Sequence, residues 1–112
     1  MKTGKIHNGL LNGSGYKGGE MIEYGNFVDD KLHGRYCCVY FGNSVRLNYY
    51  GGMHFGIKHG QGVTYYSNGL KDFEGSYSYG KEHGFNCKTY FPNGDLKYSG
   101  DFKNGKFDGP GK

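Results

Sequence analysis

Large and small side chains alternate along short stretches of this chain, and glycines separate the stretches. The clearest case runs from Phe73 to Tyr98. Phe73-Glu74-Gly75-Ser76-Tyr77 puts bulky residues at alternate positions, the period of a half-buried strand. Ser78-Tyr79-Gly80-Lys81-Glu82-His83-Gly84 follows as a turn whose glycines tolerate positive φ, and Asn86-Cys87-Lys88-Thr89-Tyr90-Phe91 reads as the return strand. Pro92-Asn93-Gly94-Asp95 closes the unit, and its Asn-Gly pair predicts a type I′ turn. One unit is a β-hairpin plus the turn to the next.

The unit recurs along the whole chain. Glycines spaced G-x4-G-x3-G-x-G stand at Gly4, Gly9, Gly13 and Gly15, at Gly51, Gly56, Gly60 and Gly62, and at Gly100, Gly105, Gly109 and Gly111. Two further copies carry substitutions, at Gly25, Asp30, Gly34 and Tyr36 and at Gly75, Gly80, Gly84 and Asn86. Self-similarity at a fixed period marks a repeat architecture, in which one unit cannot bury its own apolar face and must stack on a neighbour. The glycines then read as hairpin punctuation. Aromatic residues keep the same register: Tyr40, Tyr65 and Tyr90 are 25 apart, as are Phe41, Tyr66 and Phe91, and Asn43, Asn68 and Asn93. A second column follows the first glycine by two residues, at Ile6, Phe27, Met53, Tyr77 and Phe102, and a third precedes it by two, at Tyr49, Phe73 and Tyr98. Lys2 and Glu23 interrupt the third column, so the array is expected to be better formed in its C-terminal half. The expected fold is all-β: an elongated single-layer twisted antiparallel sheet of about five stacked hairpins in one domain over 1–112. Its units are approximately 2–22, 23–47, 48–72, 73–97 and 98–112, the last incomplete.

Composition narrows this further. Gly makes up 23 of the 112 residues, about three times its usual share. Leu, Ile, Val and Phe are scarce enough to flag disorder, but the net charge is only +4 and 12 Tyr supply apolar area. Such numbers suit a thin sheet packed with aromatics. The 14 Lys and Arg are interspersed with 10 Asp and Glu in no run of one sign, whereas nucleic-acid binding asks for a concentrated basic stripe. No nucleic-acid partner is expected. No apolar run reaches the roughly 18 residues of a membrane span, and Met1-Lys2-Thr3-Gly4 does not start a secretory signal, which points to the cytoplasm.

At this level of detail the residues carry a family resemblance. Tyr98-Ser99-Gly100-Asp101-Phe102-Lys103-Asn104-Gly105-Lys106-Phe107-Asp108-Gly109-Pro110-Gly111 resembles a MORN (membrane occupation and recognition nexus) repeat, and Tyr49 to Gly62 is similar. The departures are Asp30 for the second Gly, Tyr36 and Asn86 for the last, and Lys2 and Ile6 for aromatics in the first unit. The Tyr-Tyr/Phe-x-Asn-Gly endings are also similar to MORN-like repeats of small bacterial proteins, some of them grouped as antitoxins.

Little in the chain suggests catalysis. Gly13-Ser14-Gly15-Tyr16-Lys17-Gly18 spells the dinucleotide fingerprint G-x-G-x-x-G, which works only between a strand and a helix N-terminus; no helical periodicity follows. His33, His59 and His83 each precede a third glycine, with Asp108 in the same place in the last unit. Units about 10 Å apart cannot bring them to one metal ion, so the imidazoles are expected to bond turn backbone, leaving a metal or a pH response as the lesser alternative. Cys37, Cys38 and Cys87 make no disulfide framework; Cys37 and Cys87, two units apart, are too distant to bridge. Neither a cofactor, a metal nor an enzymatic activity is expected.

What remains is binding. A single-layer sheet cannot hide every aromatic, and the columns suggest a shallow groove for a partner helix or extended segment. Phe27, Tyr40, Met53, Tyr65, Tyr77, Tyr90 and Phe102 are its candidate lining. The chain starts close to its first repeat glycine and stops at Gly109-Pro110-Gly111-Lys112, leaving the fifth hairpin without a return strand. Open strand edges invite self-association or a neighbouring subunit. Since the resemblance implies scaffolds at cytoskeletal, ciliary and membrane-junction structures, a protein-interaction subunit of such an assembly is the leading expectation. Peripheral binding to an anionic phospholipid surface, the role in the family's name, is the alternative, through a rim of Lys58, Lys81, Lys103 and Lys106 diluted by acids at the same turns. An antitoxin or immunity role rests on the bacterial resemblance alone.

Overall fold

A computed structural model of the chain describes residues 2–7, 9–18, 21–42 and 46–108. Asn43, Gly109, Pro110, Gly111 and Lys112 of the repeat pattern lie outside the described residues. The elements are β1 (Lys2–His7), β2 (Leu10–Lys17), β3 (Ile22–Val28), β4 (Lys31–Leu32), β5 (Gly34–Tyr40), β6 (Leu47–His54), β7 (Ile57–Tyr65), β8 (Lys71–Ser78), β9 (Lys81–Glu82), β10 (Gly84–Tyr90), β11 (Leu96–Lys103) and β12 (Lys106–Asp108). They form one open 12-stranded sheet in chain order, β1-β2-β3-β5-β6-β7-β8-β10-β11-β12, with β4 and β9 pairing beside β3 and β8. Every pairing is antiparallel, and the domain measures 49 × 26 × 16 Å. This is the single-layer hairpin array that the alternation and the glycine period predict. The fifth hairpin does have a return strand: β12 is short, but Lys106, Phe107 and Asp108 pair with Lys103, Phe102 and Asp101.

One row of small residues crosses the middle of the sheet and accounts for seven of the glycines. Cross-strand pairing joins Gly4 to Gly15 and Gly15 to Gly25, then Cys37 to Gly51, Gly51 to Gly62 and Gly62 to Gly75, and finally Cys87 to Gly100. These are the first and fourth glycines of the units. They lie within strands, so hairpin punctuation describes only the second glycines: Gly56, Gly80 and Gly105 turn the chain at φ 82°, 90° and 83°. The row is a floor for large side chains. A Cβ on Gly62 would fall 2.6 Å from Cε1 and 2.7 Å from Cζ of Tyr49, and one on Gly75 would fall 3.1 Å from Cζ of Phe73. Only glycine or a similarly small residue lets these rings lie flat on the sheet.

On this packed face sit the buried apolar residues among those described, Leu11, Phe27, Leu32, Cys37, Val39, Tyr49, Phe73, Tyr77, Cys87 and Phe102, with Met53 and Tyr98 packed against them. The second and third aromatic columns merge here. Tyr49 meets Tyr77 edge-on at 5.7 Å, Phe73 meets Tyr77 at 5.1 Å and Phe102 at 5.2 Å, and Tyr98 meets Phe102 at 5.4 Å. Such edge contacts add about 0.5–1.5 kcal/mol each beyond area burial. Where Lys2 and Glu23 interrupt the columns, Leu11 and Leu32 fill the space, both essentially inaccessible. The N-terminal units therefore continue the same core, with leucine where the third column lacks an aromatic.

The imperfect copies have a geometric cause. Opposite Gly51 to Met53 of β6, strand β5 spends four residues, Gly34 to Cys37, and β10 does the same between Gly84 and Cys87. One extra residue on one strand is a β-bulge. The true counterparts of the fourth glycine are thus Cys37 and Cys87, both fully buried, while Tyr36 and Asn86 are the inserted positions. The closing turns also differ from the sequence expectation. Of Asn93 and Gly94 only Gly94 has positive φ, at 97°, so the turn is not type I′. Instead Gly94 N–H donates to Phe91 O at 2.8 Å, Phe91 N–H to Asp95 O at 2.8 Å, and the Asn93 side chain accepts from Asp95 N–H at 2.9 Å. Tyr66 to Leu70 repeats that pattern.

Candidate functional site

Residues that alternate with the buried ones face the other side of the sheet. Register alone sets one row there: Tyr16 opposite Tyr24, Tyr24 opposite Cys38, Cys38 opposite Tyr50, Tyr50 opposite Val63, Val63 opposite Glu74, and Glu74 opposite Lys88. Nothing among the described residues covers this open face. Tyr24 is 57 % exposed and Tyr50 39 %, and the bulge lifts Tyr36 to 73 % with its ring stacked 6.4 Å from that of Tyr50. Bulges re-aim side chains in this way. Beside the stacked pair lies a groove of about 580 Å³ over β5, β6 and β7. Its walls are Tyr36, Tyr50, Met53 and Val63, its floor is largely glycine, and Arg35, Gln61, His33, His54 and His59 supply its polar groups.

At one end the groove runs into a cluster of rings at the hairpin turns. His54 lies 5.0 Å from His33, 4.7 Å from Phe55, 5.7 Å from His59 and 6.0 Å from Tyr79. Phe55 and Tyr79 are turn residues at φ 46° and 45°, a conformation that bulky side chains seldom adopt. Side chains of the preceding unit hold them there. His33 Nδ1 accepts Phe55 N–H at 3.2 Å, His59 Nδ1 accepts Tyr79 N–H at 3.1 Å, and His83 Nδ1 accepts Asn104 N–H at 3.4 Å. In the first unit Asn12 Oδ1 takes that role, accepting Asp29 N–H at 3.1 Å. The next residue of each turn adds a backbone bond: Asp30, Gly56, Gly80 and Gly105 donate to Leu11, Leu32, Lys58 and Glu82 at 2.7–2.9 Å. The histidines do bond turn backbone, but in the following unit, so they clasp one hairpin to the next. No three His, Cys, Asp or Glu side chains among the described residues are placed to hold a metal ion.

The seven predicted groove residues divide between the two faces. Phe27, Tyr77 and Phe102, at 2 %, 5 % and 6 % exposure, belong to the core and offer a partner nothing to touch. Met53 bridges, packing on the core and lining the groove. Tyr40, Tyr65 and Tyr90 are half-buried: Tyr40 lies beside Cys38 and Tyr24 on the open side, Tyr90 Oη donates to Glu74 at 3.3 Å, and Tyr65 borders the polar trough around Lys58. Burial pushes the Tyr40 and Tyr90 phenols up, as it does those of Tyr49 and Tyr77 in the core. Tyr24, Tyr36, Tyr50, Arg35 and His54 were absent from the sequence reading of the groove. Their signal was the alternation itself, since Tyr50 directly follows buried Tyr49.

The four lysines do not make one rim. Lys58 Nζ sits on the packed face over the rings of Tyr49 and Tyr77, 5.2 and 5.7 Å from their centroids. There it joins Asn48, Thr64, Asp72 and Glu82 around a small polar trough of about 230 Å³. Lys81 is exposed at its own turn, and Lys103 and Lys106 pair across β11 and β12. Gly13 to Lys17 of the apparent dinucleotide fingerprint lies within β2, and the next described element is strand β3, so the fingerprint lacks its helix.

Two comparisons with known proteins bear on the chain. No curated protein is similar enough to count as a match. A family model, that of the MORN repeat, matches residues 24–35, 49–71, 73–96 and 98–112; the repeat is a non-catalytic module, and such modules generally serve protein or membrane interaction. With these matches covering more than half of its length, and with hairpins stacked as the repeat requires, the chain belongs to the MORN repeat family.

Proposed function

We propose that the protein is a non-catalytic interaction module that holds a segment of a protein partner on the open face of its sheet, in the groove beside Tyr36 and Tyr50. One observation carries the reading: two exposed, mutually stacked tyrosines of the face flank a concave, largely apolar groove of about 580 Å³. Tyrosine is a residue of binding hot spots because it offers a large apolar area with a polar tip at low entropic cost. Five hairpins in one continuous sheet make a stiff platform, suited to a subunit of a larger assembly at the cytoskeleton, a cilium or a membrane junction. Substitution of Tyr36 and Tyr50 by Ala tests the site, because neither ring is part of the buried core. Capture of the cognate partner should fall at least tenfold while thermal stability stays within a few degrees. Undiminished capture by the folded double variant would move the interface elsewhere.

A further inference from the structure

Charge around the groove narrows the partner. Arg35 is the sole Lys, Arg, Asp or Glu among the described lining residues, so no described carboxylate lines the space. Arg35 is exposed and makes no hydrogen bond or ion pair among the described residues. Its guanidinium keeps five donors in a planar fork that matches a carboxylate. Several described acids are engaged or lie elsewhere. Glu74, on the same face, is taken by Lys71 at 3.1 Å and by Tyr90 Oη, and Asp101 accepts Asn86 N–H at 3.2 Å. Asp72 and Glu82 line the trough of the packed face. Asp30 is engaged by Lys2 and by Leu11 N–H.

Width narrows it again. The groove covers three strands, two interstrand spacings or about 10 Å, which is slightly less than the roughly 10–12 Å diameter of a helix with its side chains. An extended chain fits such a space, and its alternating side chains would meet the wall on one side and solvent on the other. We infer that the groove takes an extended acidic peptide segment, with an aromatic or aliphatic side chain laid against Tyr36 and Tyr50 and a carboxylate on the Arg35 guanidinium. This rests on the interaction reading above. A membrane surface fits less well, since it needs several basic groups in one plane, whereas Lys58 lies on the opposite face and Lys103 and Lys106 are at the far end of the sheet.

The test has a selection arm and a binding arm on the full chain. A library of random ten-residue peptides is selected on the protein, and enriched sequences should combine Asp or Glu with an aromatic residue. Fluorescence anisotropy then compares a labelled peptide alternating Glu and Tyr with its Lys and Tyr counterpart. The acidic peptide should bind more tightly and lose affinity with added salt. Arg35→Glu should weaken it about ten- to a hundredfold, the range for a charge-assisted hydrogen bond, and should strengthen the Lys peptide. The variant's melting curve should match the parent's, because Arg35 is exposed and makes no hydrogen bond or ion pair among the described residues for the change to release. If enriched peptides are lost on Tyr36→Ala but carry no acidic preference, and Arg35→Glu moves neither probe, the acidic assignment falls while the groove stands. If no peptide is enriched, or if the protein instead binds vesicles of phosphatidylserine and phosphatidylcholine, the peptide assignment falls; vesicle binding that survives Tyr36→Ala and Tyr50→Ala removes the groove reading with it.

Discussion

Gly62→Ala should destabilise the protein by about 3 kcal/mol, although the change adds a single methyl group. Ala normally stabilises an extended position by about 0.4–1 kcal/mol through the unfolded chain, and Gly62 is not among the glycines at positive φ. Backbone conformation therefore gives no reason for a loss. The cost comes from Tyr49: the three atoms nearest the new Cβ all belong to its ring or hydroxyl, with Cε1 at 2.6 Å and Cζ at 2.7 Å, where ordinary contact begins near 3.4 Å. To clear it, the ring must lift by most of an ångström from a fully buried site. It would then strain or lose the bond from Tyr49 Oη to Gly52 O at 2.7 Å, its edge contact with Tyr77, and the Lys58 ammonium above it. A hydrogen bond is worth about 1 kcal/mol net, the aromatic contact about 0.5–1.5 kcal/mol, and overpacking itself about 1–3 kcal/mol. A loss near 3 kcal/mol lowers the melting temperature by about 12 °C or more in a domain of this size. Urea melts of the parent, Gly62→Ala, Tyr49→Leu and the double variant give the coupling directly. With Tyr49 replaced by Leu, the added methyl should cost less than about 1 kcal/mol. Equal costs in both backgrounds, or a Gly62→Ala loss below about 0.5 kcal/mol, would refute the close-approach argument.

Other consequences are testable in the same preparations. His59→Phe should remove the acceptor of Tyr79 N–H and speed exchange of that amide by about fivefold or more, the worth of one net hydrogen bond, whereas His59→Asn, by analogy with Asn12, should retain part of the protection. Hydrogen exchange read by NMR distinguishes the two. The Lys2 ammonium, and then Leu11 N–H, hold the Asp30 carboxyl below its usual range. The stability it contributes is therefore complete above the ordinary carboxylate value of about 3.9 and is lost as pH falls through the depressed one. Asp30→Asn should flatten the acid limb of the stability curve, and an unchanged limb would count against the pairing. Cys87→Val should destabilise because its added carbon meets Gly75, whose own Cβ would stand 2.7 Å from Cys87 Sγ; a calorimetric melt at or above the parent's would contradict the small-residue row.

The fold was legible because the repeat states the same instruction several times. Any one hairpin of this chain is ambiguous, but five copies of the glycine spacing fix the period, and aromatics two residues either side of the first glycine fix the packed face. The meaning of the glycines was less visible. Turn glycines and floor glycines look alike in sequence, since both are simply the absence of a side chain, and only pairing shows that Gly51, Gly62 and Gly75 are neighbours in one row. The histidines were readable as backbone acceptors. That they reach the next unit was not, because the distance between hairpins is a property of the stacked sheet.

The site was hidden by the same regularity that revealed the fold. Columns of equal positions pick out the residues that pack best, so the search for a groove returned Phe27, Tyr77 and Phe102, which are the core. A binding surface on a one-layer sheet has to be sought among residues the repeat leaves free, one position away from each buried aromatic, and where the repeat is broken. Tyr36 meets the second condition. As a failed glycine it looks like decay of the motif, yet the extra residue that displaces Cys37 into the small-residue row also frees Tyr36 to stand over Tyr50. The second bulge supports this. At the equivalent place Asn86 takes φ 56° and its N–H bonds Asp101, while the opposing row holds Lys88 and Ser99 in place of Cys38 and Tyr50, so no aromatic pair forms there. Two units share the insertion, but only one has a tyrosine on each side of it, and the groove lies beside that unit alone. The departures from the repeat, more than the repeat, place the candidate groove in the middle of the array.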